Sequence, residues 1–377
     1  MKIDDKTSHN SPSLRFPEFN GEWKEERLSE IADIYKGAGI SKDQLSDNGE
    51  PCILYGELYT KYKTETITEV ISRTDIDNTK LVRSKANDVI IPCSGETAED
   101  IATARCVIKD GILLGGDLNI IRLHNYDGSF VSYQLNGKRK YDIAKVAQGV
   151  SVVHLYGEHL KGVKTVNPCL AEQKKISRFL SLLDERIAVQ NRLIDRLQSL
   201  MIGIAQKIAH SNKPNVRISD CLECSSSALQ ESEVNKTGKY PVYGANGIVG
   251  YIDKYHTQNE AIYIIKDGSG VGGVSYVTGK CSSTGTLNIL QAKNGHSLKY
   301  LYYLLKVFNF VPYKTGMAIP HIYFKDYGKA KIFCPAYPEQ LEYAKLLSSI
   351  DGNLRIALDS LKNFNLQKQY LLRHMLI

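Results

Sequence analysis

The sequence predicts a mixed α/β (α+β) protein built from two duplicated α/β domains and two long helices. A stretch of the chain recurs 167 residues further on, which indicates an internal duplication. Each copy runs into a heptad pattern of apolar residues, which is typical of a long helix that packs as a coiled coil. The segments before the two copies alternate β-branched and aromatic runs with turn dipeptides, as compact domains containing sheets do. With 377 residues, the chain has ample length for both domains.

The repeated stretch covers residues 149–184, which align without a gap on residues 316–351. A shorter match, residues 27–30 with residues 217–220, precedes it at an offset of 190. The ends of the two halves therefore agree, whereas their middles have diverged. The identical pairs of the long match include Gly149/Gly316, His154/His321, Tyr156/Tyr323, Lys164/Lys331, Pro168/Pro335, Glu172/Glu339, Gln173/Gln340, Leu180/Leu347, Ser181/Ser348 and Asp184/Asp351.

The heptad segments predict two antiparallel coiled-coil helices of about 38 residues, each roughly 57 Å long at about 1.5 Å per residue. Pro168 and Pro214 bracket the first segment, and no proline lies between them. Gln190 and Lys368 interrupt the apolar seam, where polar residues often set the register. The alternative is two ordinary amphipathic helices that each cap their own domain. The predicted seam consists of Leu180, Leu183, Ile187, Ile194, Leu197, Met201, Ile204, Leu347, Ile350, Leu354, Leu361, Phe364 and Leu371.

The diverged middles combine strand and helix signals. Asn246-Gly247 and the glycines from Gly268 to Gly273 punctuate β-branched runs, so residues 239–290 are predicted as strands and hairpins. Ser297 to Phe308 is predicted as a helix. In the first half, DVIIPCSG and GGDLNIIRL are predicted strands, and YQLNGKRKYDIAKVA is predicted to be partly helical. The predicted divisions are an N-terminal extension (1–22), a first domain (23–168), a central helix (169–213), a second domain (214–335) and a C-terminal helix (336–377).

Composition and charge narrow the class of protein. No apolar run approaches the roughly 18 residues of a membrane span, and the first twenty residues are polar, so we expect neither a transmembrane segment nor a signal peptide. The eight cysteines are expected to be free thiols in the cytoplasm. The net charge of +7 is compatible with an anionic partner. Residues 1–168 carry a net charge of −3, so a nucleic-acid site there requires a clustered basic face.

The search for chemical motifs predicts a protein without catalysis. The glycine-rich loop from Gly268 to Gly273 precedes the strand-like SYVTGK, so no helix N-terminus is expected there to receive a phosphate. Cys221 and Cys224 form a lone Cys-x-x-Cys without a second pair, and no metal is expected from that spacing. The remaining repeated polar residues, His154 and His321, are interpreted as supports of the junction before each long helix.

Aromatic and basic residues concentrate in the second half. Twelve of the 23 tyrosines fall within residues 240–327, interleaved with lysines. A phenol combines a flat apolar body with a polar tip, and lysine neutralises phosphate, so this composition suits a nucleic-acid or protein contact surface. At least half of these tyrosines are expected to serve as core or strand residues instead.

These features together resemble the DNA-specificity subunit of type I restriction–modification systems. The resemblance spans nearly the whole chain, from LRFPEFNGEWKEERLSEIA onward. YPVYGANGIVGYI followed by DGSGVG also resembles the opening of many recognition domains in that family. Its most specific parts are two boundary motifs that each run into a heptad helix: Gly149, Pro168, Glu172 and Gln173, and Gly316, Pro335, Glu339 and Gln340.

The resemblance implies that each diverged domain is a target-recognition domain for one half of an asymmetric, bipartite double-stranded DNA sequence. It implies a pseudo-twofold arrangement in which the helices act as a spacer and dock two methyltransferase (modification) subunits. Restriction/translocase subunits would join separately. S-adenosylmethionine, ATP and magnesium would then belong to the partner subunits, and this chain would carry no cofactor.

Loops that end strands or flank the repeated glycines supply the candidate DNA-binding residues. Arginine and lysine suit guanine or phosphate, asparagine and glutamine suit adenine, and carboxylates suit the cytosine amino group. Ordinary solvation of a loop is the alternative for each position, as it is for the Lys138-Arg139-Lys140 run. The candidates are Ser94, Glu96, Thr97, Lys138, Arg139, Gln148 and Ser151 in the first domain, and Tyr243, Asn246, Lys266, Ser269, Lys314 and Thr315 in the second.

Two other classes stay open at this point. One is a protein-binding adaptor with duplicated domains and no DNA specificity, which would associate with its partner regardless of salt. The other is a nuclease or methyltransferase without a recognised motif, which would bind a cofactor or turn over substrate as a purified chain.

Overall fold

The computed structural model describes residues 11–77, 79–149, 152–210 and 213–377. Two units share the chain: Met1–Gln190 with Ser360–Ile377, and Asn191–Asp359. Both unit boundaries fall inside the long helices and not at their ends, where the sequence analysis placed its divisions. Each unit therefore combines one α/β domain with part of both long helices.

The first unit is a mixture of short strands and short helices that precedes a long helix. In chain order its elements are β1 (Lys24–Arg27), α1 (Leu28–Ile31), β2 (Ala32–Lys36), β3 (Glu50–Ile53), α2 (Glu57–Thr60), β4 (Thr66–Ile67), β5 (Ser72–Thr74), β6 (Val82–Arg83), β7 (Asp88–Pro92), β8 (Ser94–Gly95), α3 (Ala98–Ile101), β9 (Arg105–Val107), β10 (Leu113–Leu114), β11 (Leu118–Leu123), α4 (Gly128–Asn136), α5 (Lys140–Val146), β12 (Val153–His154), α6 (Gly157–Lys161), β13 (Lys164–Asn167) and α7 (Leu170–His210).

The sheet that organises the first unit has the strand order β2-β11-β7-β9-β4. β7 is buried at every position, which explains the apolar run Val89–Ile91 of this central strand, and its buried Asp88 is paired with Arg122 at 2.8 Å. A second sheet has the order β5-β3-β10-β6, and two-stranded pairs join β1 to β13 and β8 to β12. Trp23, Phe130 and Tyr133 are buried in the core of the first unit, which also contains Ile176 and Leu180 from the first turns of α7. The predicted strands DVIIPCSG and GGDLNIIRL are confirmed as β7 and β11.

The second unit repeats this plan in fewer residues. In chain order its elements are β14 (Val216–Arg217), α8 (Ile218–Cys221), β15 (Leu222–Ser226), β16 (Tyr240–Gly244), β17 (Gly247–Ile252), β18 (Glu260–Ile265), β19 (Val274–Thr278), β20 (Ser282–Ser283), β21 (Leu287–Ala292), α9 (Leu298–Lys306), α10 (Phe324–Tyr327), β22 (Lys331–Ile332) and α11 (Tyr337–Met375).

The strand orders show the duplication. The order β15-β21-β18-β19 matches β2-β11-β7-β9 of the first unit, and β14 pairs with β22 as β1 pairs with β13. The parallel pair of β16 and β20 likewise matches that of β3 and β10. The glycine-rich turn after β18 leads directly into β19, in agreement with the predicted strand. The middles thus differ in sequence and length but share four strands of the main sheet in one order. The first unit adds β4 to that sheet and has four strands in its second sheet against three in the second unit.

The repeated Pro and Gln of the boundary motif have the same structural task in both copies. Gln173 donates from Nε2 to the Pro168 carbonyl (2.8 Å) and accepts from the Asp127 N–H (2.9 Å). Gln340 donates to the Pro335 carbonyl (2.8 Å) and accepts from the Ser297 N–H (2.8 Å). Asp127 and Ser297 are themselves the N-caps of α4 and α9. The glutamine therefore fixes the first turn of each long helix to a short helix of its own domain.

The two long helices run antiparallel where they meet in the first unit. Near the start of α7, Glu172 is paired with Arg15, and the N–H of the adjacent Leu14 donates to the His374 carbonyl at the end of α11. Further along α7, Asp184 contacts Lys368, which precedes His374 in α11. All thirteen predicted seam residues are buried or half-buried. Each helix contributes to both units, contrary to the alternative in which each helix caps only its own domain.

The polar interruption of the seam at Lys368 is a buried charge network. Its ammonium group lies 2.7 Å from Asp184 and 2.9 Å from Glu65, and the Tyr133 hydroxyl donates to Asp184 at 2.6 Å. Burial raises the pKa of Asp184. Burial lowers the pKa of Lys368, but the two carboxylates outweigh it, so that this pKa lies above its usual value. The lysine therefore stays charged and joins α11, α7 and the sheet domain of the first unit.

None of the helices in the described ranges combines the length and apolar character needed to cross a bilayer.

Candidate nucleic-acid interface

A tight backbone turn in the first unit presents the candidate Gln148. Its N–H donates to the His154 carbonyl (2.9 Å), and the His154 N–H donates back to the Gln148 carbonyl (2.7 Å). Gly149 has φ +126°, and a Cβ atom there would lie 2.0 Å from the Val152 carbonyl oxygen. Only glycine therefore fits this turn, which we call the first repeat hairpin. The candidate Ser151 lies outside the described residues.

The first repeat hairpin is attached to the end of the central sheet. β12 pairs antiparallel with β8, which places His154 opposite Ser94, and Ser94 Oγ lies 3.2 Å from His154 Nδ1. The Tyr156 ring stacks on His154 with 6.2 Å between ring centroids and is 54% exposed. The structure thus brings the predicted residues Ser94 and Gln148 together around His154, beside an exposed phenol.

The second unit contains the same turn at the equivalent position. The Thr315 N–H donates to the His321 carbonyl (2.9 Å), and the His321 N–H donates to the Thr315 carbonyl (2.7 Å). Gly316 has φ +88°, and a Cβ atom there would lie 2.3 Å from the Ile319 carbonyl oxygen. This second repeat hairpin carries the predicted candidates Thr315 and, next to it, Lys314, both of which are exposed.

The partner of the histidine differs between the units. His321 Nδ1 lies 2.7 Å from Asp267 Oδ1, whereas His154 faces a serine hydroxyl. Asp267 belongs to the turn after β18, which also carries the half-buried Lys266 and the exposed Ser269. This turn and the second repeat hairpin are joined because the Gly268 N–H donates to the Pro320 carbonyl at 3.0 Å. Lys266, Ser269, Lys314 and Thr315 are therefore on two connected loops.

Exposed apolar and aromatic side chains surround the second repeat hairpin. Met317 is fully exposed, Ile319 is 58% exposed and Tyr323 is 48% exposed. Lys325 lies over the Tyr323 ring, 5.3 Å from its centroid. Such a surface offers flat apolar faces for stacking and a cation for phosphate. Among the twelve clustered tyrosines, only Tyr323 and Tyr255 are exposed, and the others are buried or half-buried.

The remaining predicted candidates have other surroundings. Thr97 is the N-cap of α3, where its hydroxyl accepts from the Asp100 N–H at 3.1 Å, and the adjacent Glu96 is exposed. Lys138 is exposed in the turn between α4 and α5. Arg139 forms an ion pair with Asp142 at 3.6 Å, and no hydrogen bond in the described part of the chain joins it to the first repeat hairpin.

Two further candidates share the hairpin of β16 and β17. Tyr243 is half-buried, with its ring edge against Tyr263 at a centroid distance of 5.8 Å. Asn246 is exposed in the turn, next to Gly247 at φ +102°. Tyr243 thus packs against the core of the second unit. Asn246 can contact a ligand because its side chain lies in an exposed turn.

Sequence reasoning assigned His154 and His321 to support of the helix junction and did not select Asp267. The recurrence of both histidines at one offset was the available signal, since it marks a shared turn. Their hydrogen-bond partners lie far away in sequence, so no local spacing could reveal the Ser94 and Asp267 contacts.

These patches carry polar groups that suit contacts with a nucleic acid. Their groups are hydroxyls, imidazoles, an amide, a carboxylate and ammonium groups, all of which can pair with base edges or phosphates. The nearby Cys93 thiol is buried, and burial raises its pKa to about 12, so it is protonated at neutral pH.

Comparison with known proteins agrees with this organisation. A family model described as the type I restriction modification DNA specificity domain matches residues 20–199 and again residues 211–363. The chain is 25% identical over 112 residues to the type I restriction enzyme EcoprrI specificity subunit of Escherichia coli, covering 30% of this chain and 28% of that protein. It is 24% identical over 196 residues to the MjaVIII specificity subunit of Methanocaldococcus jannaschii, covering 52% and 43%.

A Haemophilus influenzae relative, also named for a type I restriction enzyme specificity subunit, is 25% identical over 123 residues. That alignment spans 32% of either chain, so the chain matches about a third of the length of the first curated relatives.

Solved structures share the fold over nearly the whole chain. The crystal structure of a type I restriction–modification system S subunit from M. genitalium superposes with a TM-score of 0.72 at 18% identity, covering 97% of this chain and 99% of that one. A chain from a study of complex assembly and conformational transition of the type I R-M system gives a TM-score of 0.51 at 15% identity, covering 93% and 96%. With two matches of the family model in the order of the two units, the chain belongs to the type I restriction modification DNA specificity domain family.

Proposed function

We propose that this chain is the DNA-specificity subunit of a type I restriction–modification complex, in which each domain reads one half of an asymmetric bipartite DNA sequence. One observation carries the proposal: the two units hold a glycine-dependent hairpin and a histidine in the same geometry, yet surround them with different polar groups. A shared frame with different contacts is what two domains need to read two different half-sites.

The polar groups suggest how each half-site is contacted. In the first unit, Gln148 suits the N6 and N7 edge of adenine, and the Ser94 hydroxyl can donate or accept. In the second unit, Lys266 and Lys314 suit guanine or phosphate, and Asp267 suits the amino group of cytosine. Tyr156 and Tyr323 can pack on sugar or base faces. The different residue types support unequal half-sites.

The surface of the long helices supports the proposal that two methyltransferase subunits dock on them. In the first unit, a groove of about 590 Å³ between α7 and α11 is lined by Phe179, Leu182, Val189, Phe364 and other residues. Leu182 is 41% exposed and Val189 54% exposed, so both offer apolar surface to a docking partner. Restriction/translocase subunits would bind the assembled complex.

We infer that this chain contributes specificity without catalysis. S-adenosylmethionine, ATP and magnesium are assigned to the partner subunits, which would carry out methylation and DNA translocation. Because the substrate is the cell's double-stranded DNA, we place the complex in the cytoplasm. A protein-binding adaptor without DNA specificity is not favoured, since the family is that of DNA specificity domains.

The test is methylome sequencing of a host that expresses this chain with its modification subunit. The proposal predicts methylation at one asymmetric sequence of two defined halves and an undefined spacer, and none without this chain. Binding of the purified complex to that duplex should weaken as salt rises, because phosphate contacts release counterions. Salt-independent assembly without duplex binding would contradict the proposal.

A further inference from the structure

Three metal-ligating side chains meet at one corner of the second unit. One ligand atom each from Cys221, His296 and Cys334 lies within 4.8 Å of the other two. Both cysteines are buried, and His296 is half-exposed. Cys224, the partner of Cys221 in the Cys-x-x-Cys pattern, is not a member of this cluster. We call it the Cys-His corner.

Hydrogen bonds to backbone groups position the three segments that carry the Cys-His corner. Cys221 ends α8, and its carbonyl accepts from the Lys293 N–H at 2.9 Å. Cys334 is fixed by Asn215, which accepts from the Cys334 N–H and donates to its carbonyl, both at 2.8 Å. His296 directly precedes the N-cap Ser297, whose N–H is bound by Gln340. The three side chains therefore come from segments that are already positioned.

The duplication provides an internal comparison for this corner. Tyr126 is equivalent to His296, because each residue directly precedes the N-cap of a short helix, α4 or α9. Asn167 is equivalent to Cys334 at the repeat offset of 167. There the Tyr126 hydroxyl donates to Glu26 at 2.9 Å, and Asn167 Nδ2 donates to Glu26 at 3.1 Å. A carboxylate thus links the corner of the first unit.

The second unit cannot use that carboxylate. The residue equivalent to Glu26 at the offset of 190 is Val216, and the residue equivalent to Ile31 is Cys221. In the second copy Val216 replaces the acceptor Glu26, while His296 and Cys334 replace its two donors. The second thiol, Cys221, replaces the apolar Ile31. A metal ion bound by all three side chains would connect these segments, as Glu26 does in the first unit.

We propose that the Cys-His corner binds a zinc ion through Cys221, Cys334 and His296. Zinc takes thiolates at about 2.3 Å and imidazole nitrogen at about 2.0–2.1 Å in tetrahedral geometry, which places ligand atoms about 3.6–3.8 Å apart. Contraction by about 1 Å from the observed limit would close the site. His296 Nδ1 lies 3.2 Å from the Asn294 carbonyl, a partner of the kind that orients metal-binding imidazoles.

Thiolate ligands favour zinc over hard cations such as magnesium or calcium. The three side chains leave one position of the tetrahedron, which a water molecule would occupy. The metal would cross-link α8, the start of α9 and the junction that leads into α11, and so fix the C-terminal helix to the second domain.

Cobalt(II) is the probe for this site, because thiolate-bound tetrahedral cobalt absorbs visibly and zinc displaces it. The full chain, reduced and freed of metal, should bind one cobalt per chain with sulfur-to-cobalt charge-transfer absorption. Zinc should abolish this absorption and raise the melting temperature. Cys334→Ser should lose both effects, whereas Cys224→Ser, outside the cluster, should keep both.

His296→Ala provides a variant at a half-exposed position, and it should weaken cobalt binding at least tenfold while circular dichroism stays that of the parent. Absence of charge-transfer absorption in the reduced parent chain would overturn the proposal. So would absorption that Cys334→Ser and His296→Ala leave unchanged. A Cys221–Cys334 disulfide formed by mild oxidation, in a chain that binds no cobalt when reduced, would assign the pair to redox chemistry instead.

Discussion

Gly149 and Gly316 shape the two repeat hairpins because both adopt a left-handed backbone conformation next to a carbonyl oxygen. The sequence predicted their importance through the repeat and placed Gln148 and Thr315 beside them correctly as loop residues. It could not predict the roles of Ser94 and Asp267 as histidine partners, because those contacts depend on strands that pair across long sequence separations. Thr97 shows the reverse case, in which a loop position chosen for DNA contact is a helix cap.

Gly149→Ala should weaken recognition of one half-site only. A side chain at this φ costs about 1–2 kcal/mol, and the close carbonyl forces the hairpin to shift. Affinity of the complex for its cognate duplex should fall about tenfold or more, measured by fluorescence anisotropy. A duplex with the first half-site scrambled should bind the variant and the parent equally. Gly203→Ala, where the new methyl group meets open space, is the control and should bind as the parent does.

Gly316→Ala should weaken recognition of the second half-site only. A duplex with the second half-site scrambled should therefore bind this variant and the parent equally. Equal loss on both scrambled duplexes for both variants would mean that the hairpins support folding and not separate recognition.

Lys368→Met should destabilise the first unit by about 3–5 kcal/mol, since it leaves Glu65 and Asp184 as unpaired buried carboxylates. Urea unfolding measures the loss. The exposed Lys362→Met is the matched control and should change the free energy of unfolding by less than about 0.5 kcal/mol. Adding Glu65→Gln and Asp184→Asn to Lys368→Met should recover most of the loss, because no charge then remains unpaired. Equal stability of the two single lysine variants would show that the network is not stabilising.

At the scale of elements, the long helices were the most predictable part of the fold. The heptad pattern predicted them at 169–213 and 336–377, within three residues of the observed Leu170–His210 and Tyr337–Met375. The sequence also located Lys368 as a break in the seam, but its partner Glu65 belongs to a sheet domain far along the chain. The division of each helix between two units was likewise not predictable, because it depends on which domain packs against each helical segment.

Lengthening α7 should lengthen the DNA spacer, since this helix continues from one unit into the other. Four residues inserted after Gln190 add about 6 Å and about 40° of rotation. They also introduce a stutter, which unwinds a coiled coil locally without destroying it. One base-pair step advances about 3.4 Å and turns roughly 35°. Methylome sequencing should show a spacer longer by one or two base pairs with both half-sites unchanged.

The same insertion at the exposed turn of Gly279 is the control and should leave the spacer length as it is in the parent. An active enzyme with an unchanged spacer after the α7 insertion would show that this helix does not set the distance.

At the scale of the whole molecule, the chain is a duplication that conserved its frame and varied its contacts. Strand order, the two repeat hairpins and the glutamine clamps of the long helices recur, and these were traceable in sequence as short identical segments. The polar groups around each hairpin differ, as do the corners built on Glu26 and on Cys221. Such differences have no sequence signature, because a pair of dissimilar residues becomes equivalent only once the topology aligns them.

The central claim is that each unit reads its own half-site, and a domain exchange tests it most directly. Residues 23–148 of this chain would be replaced by the equivalent segment of a family member with a different target, and the methylome of the host would be sequenced. The account predicts a methylated sequence in which one half is exchanged while the other half and the spacer length are unchanged. A sequence altered in both halves, or in neither, would contradict it.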